Sequence, residues 1–217
     1  ERVGYDKLLI ATGSHTWIPP AENLNKAQNV IGFRNIGDIE VLKEAAKTAK
    51  HIVVMGAGLV GLDCACGFLE LGVKVTLVEM AGWLLSKQLD QRAAKTYQDA
   101  FEKEGVAQYY GVGIAKAVLD EEGLVTEVIL TDGKTLPCDY VVVTAGVRAN
   151  VEFLEGSGLE LSRFGLVYDA SGQTSDPDIY GAGDVSGTSP IWPAAVKQGI
   201  IAASNMAGVE RKQTDFF

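Results

Sequence analysis

Short unbroken apolar runs alternate along this chain with longer stretches in which apolar residues recur every three or four positions. The runs predict strands and the periodic stretches predict helices. Tyr5–Ala11 is the first run, and Thr12–Pro20 after it holds a glycine and a proline pair that stop any regular element. Asp38–Lys50 sets Val41, Leu42, Ala45 and Ala49 on one helical face, with lysines off it. Ile52–Met55 predicts a strand buried on both faces, Leu59–Leu71 a helix closed by Gly72, and Val73–Glu79 a second strand of mostly β-branched and apolar residues. Leu89–Gly105 reads as another amphipathic helix, and Val106–Ala117 as strand interrupted by glycines. The turn sequences Asp120–Gly123 and Asp132-Gly133 flank Val125–Leu130, which alternates as an antiparallel strand does. Cys138–Ala145 returns as an apolar, buried strand.

Residues 35–150 therefore predict one compact α/β unit: helix, strand, helix, strand, helix, a small β-meander and a closing strand. The remainder differs in character. Phe164–Asp169 reads as a short strand, Ser171–Pro177 as turns, and Ile179–Asp184 as a strand whose glycine turn delivers a carboxylate. A helix should start near Pro193, since proline suits a first turn, and Ala194–Met206 is rich in alanine. The two ends, 1–14 and 165–217, are expected to pair around the central unit as one interrupted second domain. Residues 15–34 and 151–164 would be the crossovers between them.

Composition narrows the function classes. A chain of 217 residues, 47% of them hydrophobic, buries one good core or two small ones, and a formal charge of −9 opposes nucleic-acid or anionic-membrane surfaces. No uncharged apolar stretch reaches spanning length and no signal peptide opens the chain. The three cysteines, Cys64, Cys66 and Cys138, are an odd number without metal-ligand spacing, which fits a reducing cytoplasm. Cys64 and Cys66 lie two apart on the predicted helix and do not face each other, so both are expected as buried small residues rather than a redox pair.

Chemistry concentrates between Ile52 and Glu79. The order strand, Gly56-Ala57-Gly58-Leu59-Val60-Gly61, helix, strand is that of a dinucleotide site. Gly56 permits the tight turn, Gly58 leaves no side chain between backbone and diphosphate, and Gly61 lets the helix lie close on the strand. The open amides of the helix's first turn then meet the anion. Glu79, about twenty residues on at a strand's end, is placed to accept the ribose hydroxyls of an adenosine. The same carboxylate repels a 2′-phosphate, and Met80-Ala81 supplies no cation to reverse that, which favours NADH over NADPH. His15 and His51 have no acid or nucleophile beside them in sequence and are expected to be structural or solvated.

These residues and others in order resemble the two-dinucleotide-binding flavoprotein reductases related to the pyridine nucleotide-disulfide oxidoreductases. Ala11-Thr12-Gly13 resembles the strand end where the chain leaves the FAD domain, and Phe33–Asp38 the segment whose arginine, here Arg34, reaches FAD. Gly56–Glu79 matches the NADH half. Thr144–Asn150 resembles the turn near the nicotinamide, with Ala149 in place of the usual proline, and implies that Gly146 and Asp63 lie near that ring. Asp63 stands where relatives carry glutamate. Thr174–Asp184 resembles the second FAD motif, whose aspartate, here Asp184 followed by Val185, bonds the ribityl chain. Ile191–Gly199 is similar to the flavin-facing helix start of the rubredoxin, nitrite and dioxygenase-ferredoxin reductase branch, which implies flavin contacts at Pro193 and Ala194.

The resemblance implies a Rossmann-like NAD(H)-binding domain with a β-meander, inserted in a partial FAD-binding domain. It implies an oxidoreductase passing hydride from NADH to FAD, and electrons onward to a small redox protein or small molecule. No side chain is expected as a catalytic acid or base, because the cofactors carry the chemistry. The chain opens on Glu1 as though cut from something longer. The family's first FAD half and its C-terminal interface domain are expected to lie outside it. An alternative stays open, a truncated module that binds NADH without flavin or turnover. Apolar faces left by such a truncation would promote homo-oligomers. A short-chain dehydrogenase fits poorly, since no tyrosine is followed four residues later by lysine.

Overall fold

The computed structural model describes residues 2–188 and 190–214. In chain order the elements are β1 (Leu8–Ile10), β2 (Ser14–Thr16), β3 (Val30–Gly32), α1 (Ile36–Ala45), β4 (His51–Met55), α2 (Leu59–Glu70), β5 (Lys74–Glu79), α3 (Gln91–Lys103), β6 (Ala107–Tyr110), β7 (Ile114–Leu119), β8 (Val125–Leu130), β9 (Thr135–Pro137), β10 (Tyr140–Val143), β11 (Val147–Ala149), β12 (Ile179–Gly181) and α4 (Trp192–Met206). Contacts divide the chain into a larger unit, Thr16–Gly146, and a smaller one made of Glu1–His15 and Val147–Phe217.

The larger unit is built on a parallel sheet of order β3-β10-β4-β5-β6. Both faces of that sheet are covered, which is why β4 and β10 are unbroken apolar runs. Ile52 and Val54 point to the side packed by α1, α2 and α3, against Leu42, Leu62, Phe68, Ala94 and Phe101. Val53 and Met55 point the other way, against Leu24, Val128 and Leu130. That second layer is the antiparallel meander β7-β8-β9, with Val128 opposite Ala117 and Leu136. Buried Asn29 clasps the two layers. Its side chain donates to the carbonyls of Val125 (3.0 Å) and Asp139 (2.6 Å) and accepts from Val125 N–H (2.6 Å).

In the smaller unit β1 and β12 pair in parallel, Leu8 opposite Ile179 and Ile10 opposite Gly181. A single 3-10 turn, Gly183–Ser186, follows β12, and α4 buries Ala194, Gln198, Ile201 and Ala202. Gln198 holds the turn to the helix: its Oε1 accepts from Gly183 N–H (2.9 Å) and from the Tyr168 hydroxyl (3.2 Å). On its other side α4 exposes Trp192, Val196 and Ile200, four residues apart.

Several expectations are corrected. Helix α1 starts at Ile36 rather than Asp38, because Asn35 and Asp38 form a reciprocal capping box (Asp38 N–H to Asn35 Oδ1, 3.0 Å; Asn35 N–H to Asp38 Oδ2, 3.1 Å). It ends at Ala45, short of Lys50. The first strand shrinks to three residues. Phe164–Asp169 forms no strand, only a bridge between Leu161 and Leu166. There a side chain at Gly165 would lie 2.2 Å from the Val185 carbonyl oxygen, an approach that only glycine permits. The loop expected over 12–20 contains β2, which pairs with β11. Residues 16–34 are not a crossover. Leu24 is fully buried in the larger unit, and β3 pairs with β10. Residues 151–164 likewise join the smaller unit, with Leu154, Val151, Leu159 and Leu161 packed against Ile10 and Val185. Among the described residues no helix is long and apolar enough to cross a membrane.

Candidate functional site

Each glycine after β4 answers to a different steric demand. Gly56 has φ +112°, and a side chain there would press to 2.8 Å from Thr144 Oγ1. At Gly61 a Cβ would stand 2.0 Å from the Gly56 carbonyl oxygen, so helix and loop touch backbone to backbone. Gly58 is the reverse case, with nothing within 4 Å of an added Cβ. The close-packed glycines shape the loop, and the open one leaves approach room for a ligand. Gly58 is also the N-cap of α2 and supplies no capping side chain. The first helical bond runs from Leu62 N–H to Gly58 C=O, so the amides of Leu59, Val60 and Gly61 have no intrahelical acceptor.

Glu79 is tied into this loop. One carboxylate oxygen accepts from Ala57 N–H (2.7 Å) and the other from Ala81 N–H (2.8 Å). The side chain therefore staples the end of β5 to the glycine turn, a role that spacing alone did not reveal. An ionised carboxylate has about four acceptor positions, so two remain for a ligand hydroxyl. Thr144, at the end of β10, closes the other side through its hydroxyl, donated to the carbonyls of Met55 (3.1 Å) and Gly56 (3.0 Å).

A cleft of about 310 Å³ opens where β4, β5 and β10 end. From β4 the chain proceeds through β5 to β6 on one side and returns at β10 on the other. The crevice thus lies at the sheet's switch point, outside the carboxyl ends of the strands, where open α/β sheets bind ligands. Its walls include Gly56, Ala57, Gly58, Glu79 and Gly146, all expected from the sequence. Trp17, Ser86, Lys87 and Gln88 also line it and were missed, because loop residues far from a motif carry no periodic signal. Lys87 brings to the cleft a cation that Met80-Ala81 does not supply. Leu59 and Val60 are exposed at the start of α2, whereas Asp63 is exposed and lies outside the cleft lining.

The expected flavin residues divide between the units. Arg34 lies in the larger one, just before α1, with its N–H on Asp38 Oδ2 (2.8 Å). In the smaller unit Ser14 Oγ donates to Asp184 Oδ2 (2.9 Å), which brings the Ala11-Thr12-Gly13 turn beside the carboxylate. Thr12 and Asn150 bond reciprocally, hydroxyl to carbonyl and amide to carbonyl, each at 2.8 Å. The Val185 side chain is fully buried core, Ala194 is buried, and Pro193 is exposed at the start of α4.

Cys64 and Cys138 are buried, and burial pushes both thiols up to about 12. Cys66 is exposed, against expectation, on the outer face of α2, where partial burial, Asp63 and Glu70 raise its thiol. His51 bonds Thr76 Oγ1 through Nε2 (2.8 Å), and burial and Lys74 lower its pKa. His15 Nδ1 meets Asn150 Oδ1 at 2.6 Å. Among the described residues no cluster of side chains is arranged to hold a metal.

Parallel sheet, glycine turn and switch-point cleft together define a Rossmann-like α/β protein. The chain belongs to the pyridine nucleotide-disulphide oxidoreductase family, whose signature spans residues 1–199. It is 36% identical over 222 residues to an NADH oxidase of Methanocaldococcus jannaschii, covering 97% of this chain and 49% of that protein. The ferredoxin reductase of Rhodopseudomonas palustris superposes with a TM-score of 0.88 at 29% identity, over 99% of this chain and 55% of that one. The water-forming NADH oxidase of Lactobacillus brevis, solved bound to NADH, gives a TM-score of 0.86 at 25% identity, over 97% and 48%. The chain spans about half the length of the NADH oxidases it matches.

Proposed function

We propose that this chain is the NADH-binding part of a flavoprotein oxidoreductase, in which hydride from NADH reduces FAD and electrons pass on to a protein or small-molecule acceptor. The observation that carries this reading is the contrast at the glycine turn. Gly56 and Gly61 are closed by neighbouring atoms while Gly58 faces open space beside unbonded amides. That is the arrangement a diphosphate needs. In this reading the amides of Leu59 and Val60 hold the diphosphate, and Glu79 accepts a ribose hydroxyl while it keeps the loop in place. Gly146, with φ +117° and no atom near an added Cβ, leaves room at the nicotinamide end. Asp63, which is outside the cleft lining, would act only from the rim. Family membership and the likeness to NADH oxidases and a ferredoxin reductase support the oxidoreductase class, with a small redox protein as the preferred acceptor.

The chain's own residues fit FAD only in part. Asp184 beside Ser14 suits a polyol hydroxyl. In the smaller unit the glycine turn after β12 leads into a single 3-10 turn, Gly183–Ser186, with Asp184 in it, and not directly into an α-helix whose first amides could cradle a second diphosphate. That observation favours a second reading for the chain by itself, an NADH-binding module without flavin. Titration of the purified protein with NADH tests the first claim, and micromolar quenching of tryptophan fluorescence is expected. The absorption spectrum decides between the readings, because bound flavin would exclude the second.

A further inference from the structure

The glycine turn sits in the middle of the cleft, not at one end of it. Along the sheet the strand ends that line the cleft run from β5, with Glu79, through β4, with Gly56 and Gly58, to β10, with Thr144, Ala145 and Gly146. A dinucleotide held by its diphosphate at the turn and by its adenosine ribose at Glu79 must therefore lay its other ring toward β10. Trp17 lines the cleft, and it is the one aromatic side chain among the described residues of that lining.

The chain around Trp17 is pinned. The Trp17 N–H donates to the Gly146 carbonyl (3.0 Å), which sets the two residues side by side beyond the end of β10. Thr16 before it lies so close on β3 that a Cβ added to Gly32 would fall 2.3 Å from Thr16 Oγ1. After it, Ile18 packs into the meander-side core and Pro19 is buried. A half-buried indole on so fixed a backbone loses little freedom when a planar ring stacks on it.

The two redox states of nicotinamide differ in what they offer such a face. The oxidised ring carries a positive charge and the reduced ring none, and indole attracts cations more strongly than the other aromatic side chains do. Among the described lining residues the one carboxylate, Glu79, lies at the opposite end, with a bond from each oxygen committed to a backbone amide. The indole face is left to meet the charge at the β10 end.

We infer that Trp17 stacks on the nicotinamide ring and favours its oxidised, cationic form. This rests on the dinucleotide reading of the cleft and deepens it. As hydride leaves NADH with both bonding electrons for the flavin, the ring left behind turns positive against the indole. Trp17 thereby makes bound NADH a better hydride donor, and it slows release of the oxidised nucleotide.

The test is calorimetric titration of the intact chain and of its Trp17→Leu and Trp17→Phe variants. The probes are NAD⁺, NADH and ADP-ribose, which keeps the adenosine and diphosphate but lacks the nicotinamide. The NAD⁺-to-NADH affinity ratio is expected to fall about tenfold in Trp17→Leu and about threefold in Trp17→Phe, with ADP-ribose affinity kept in both. The phenylalanine variant carries the test if the leucine variant does not fold. An equal loss for NAD⁺ and NADH would make Trp17 a wall indifferent to charge and overturn the proposal. A loss of the same size for ADP-ribose, or no loss for any probe, would overturn it as well. If the unaltered chain binds none of the three probes, the dinucleotide reading itself fails, a result distinct from any change in the ratio.

Discussion

Glu79 reaches across the end of the sheet to take the amide of Ala57 at 2.7 Å, so the acid proposed to grip a sugar is also what holds the glycine turn in shape. Ligand affinity and loop order are therefore coupled at one side chain. Glu79→Ala strips two backbone amides of their acceptor, which costs about 1–3 kcal/mol of stability where they stay unsatisfied. It also removes charge-assisted bonds to the ribose. NADH affinity should fall about tenfold to a hundredfold, with a lowered melting temperature. A full-strength NADH titration in this variant would remove the ribose assignment.

Gly58 and Gly61 should separate binding from folding. Gly58→Ala meets open space at an ordinary φ of −80°, so the fold should lose less than about 1 kcal/mol while NADH binding is lost. Gly61→Ala drives a methyl group to 2.0 Å from a carbonyl oxygen and should unfold the chain or displace α2. Circular dichroism melts paired with NADH titration read both effects. Normal NADH affinity in Gly58→Ala would mean that no diphosphate lies against that turn.

Thiol labelling should find one accessible cysteine. Cys66 is exposed on α2, and its raised pKa makes labelling slow near neutrality and faster as pH climbs. Cys64 and Cys138, with thiols pushed up to about 12, should stay silent until the protein unfolds. Mass spectrometry of the labelled native protein would count the sites. Labelling of two or three would contradict the packing around α2 and β10.

His51 should make stability depend on mild acid. Its folded pKa lies below the ordinary 6.5, so the unfolded chain binds the proton more readily than the native one does. The contribution is complete above about pH 6.5 and is lost as pH falls from there through the lowered folded value. Urea melts between pH 5 and 8 should show stability rising with pH, and His51→Gln should flatten that slope. An unchanged slope would place the titration elsewhere.

How much of this was legible in the sequence depended on whether a residue's partner lay nearby in the chain. The glycine turn, β4, β5, β8 and α4 were readable because their signals are local: an apolar run, an alternation, a proline at a helix start. Strand β3 was not, because its three residues are strand only by pairing with Val141–Val143, over a hundred positions away. Helix α1 starts two residues before its periodic apolar face does, because the start is set by the Asn35–Asp38 capping box and not by the periodicity. Phe164–Asp169 was misread because its apolar content serves a core contact rather than a ladder. In the cleft, Lys87 and Trp17 escaped notice because their place is fixed by turns, which leave no periodic trace.

The position of β10 between β3 and β4 has a consequence for how the chain is made. During synthesis β3 and β4 emerge more than eighty residues before the strand that joins them, and until then each presents an unpaired hydrogen-bonding edge. The central sheet closes last at its middle, so a ribosome stalled before Tyr140 would hold two separate pieces of sheet with a gap where the cleft at the strand ends should form. Nascent chains arrested on either side of that point should differ abruptly in protease resistance.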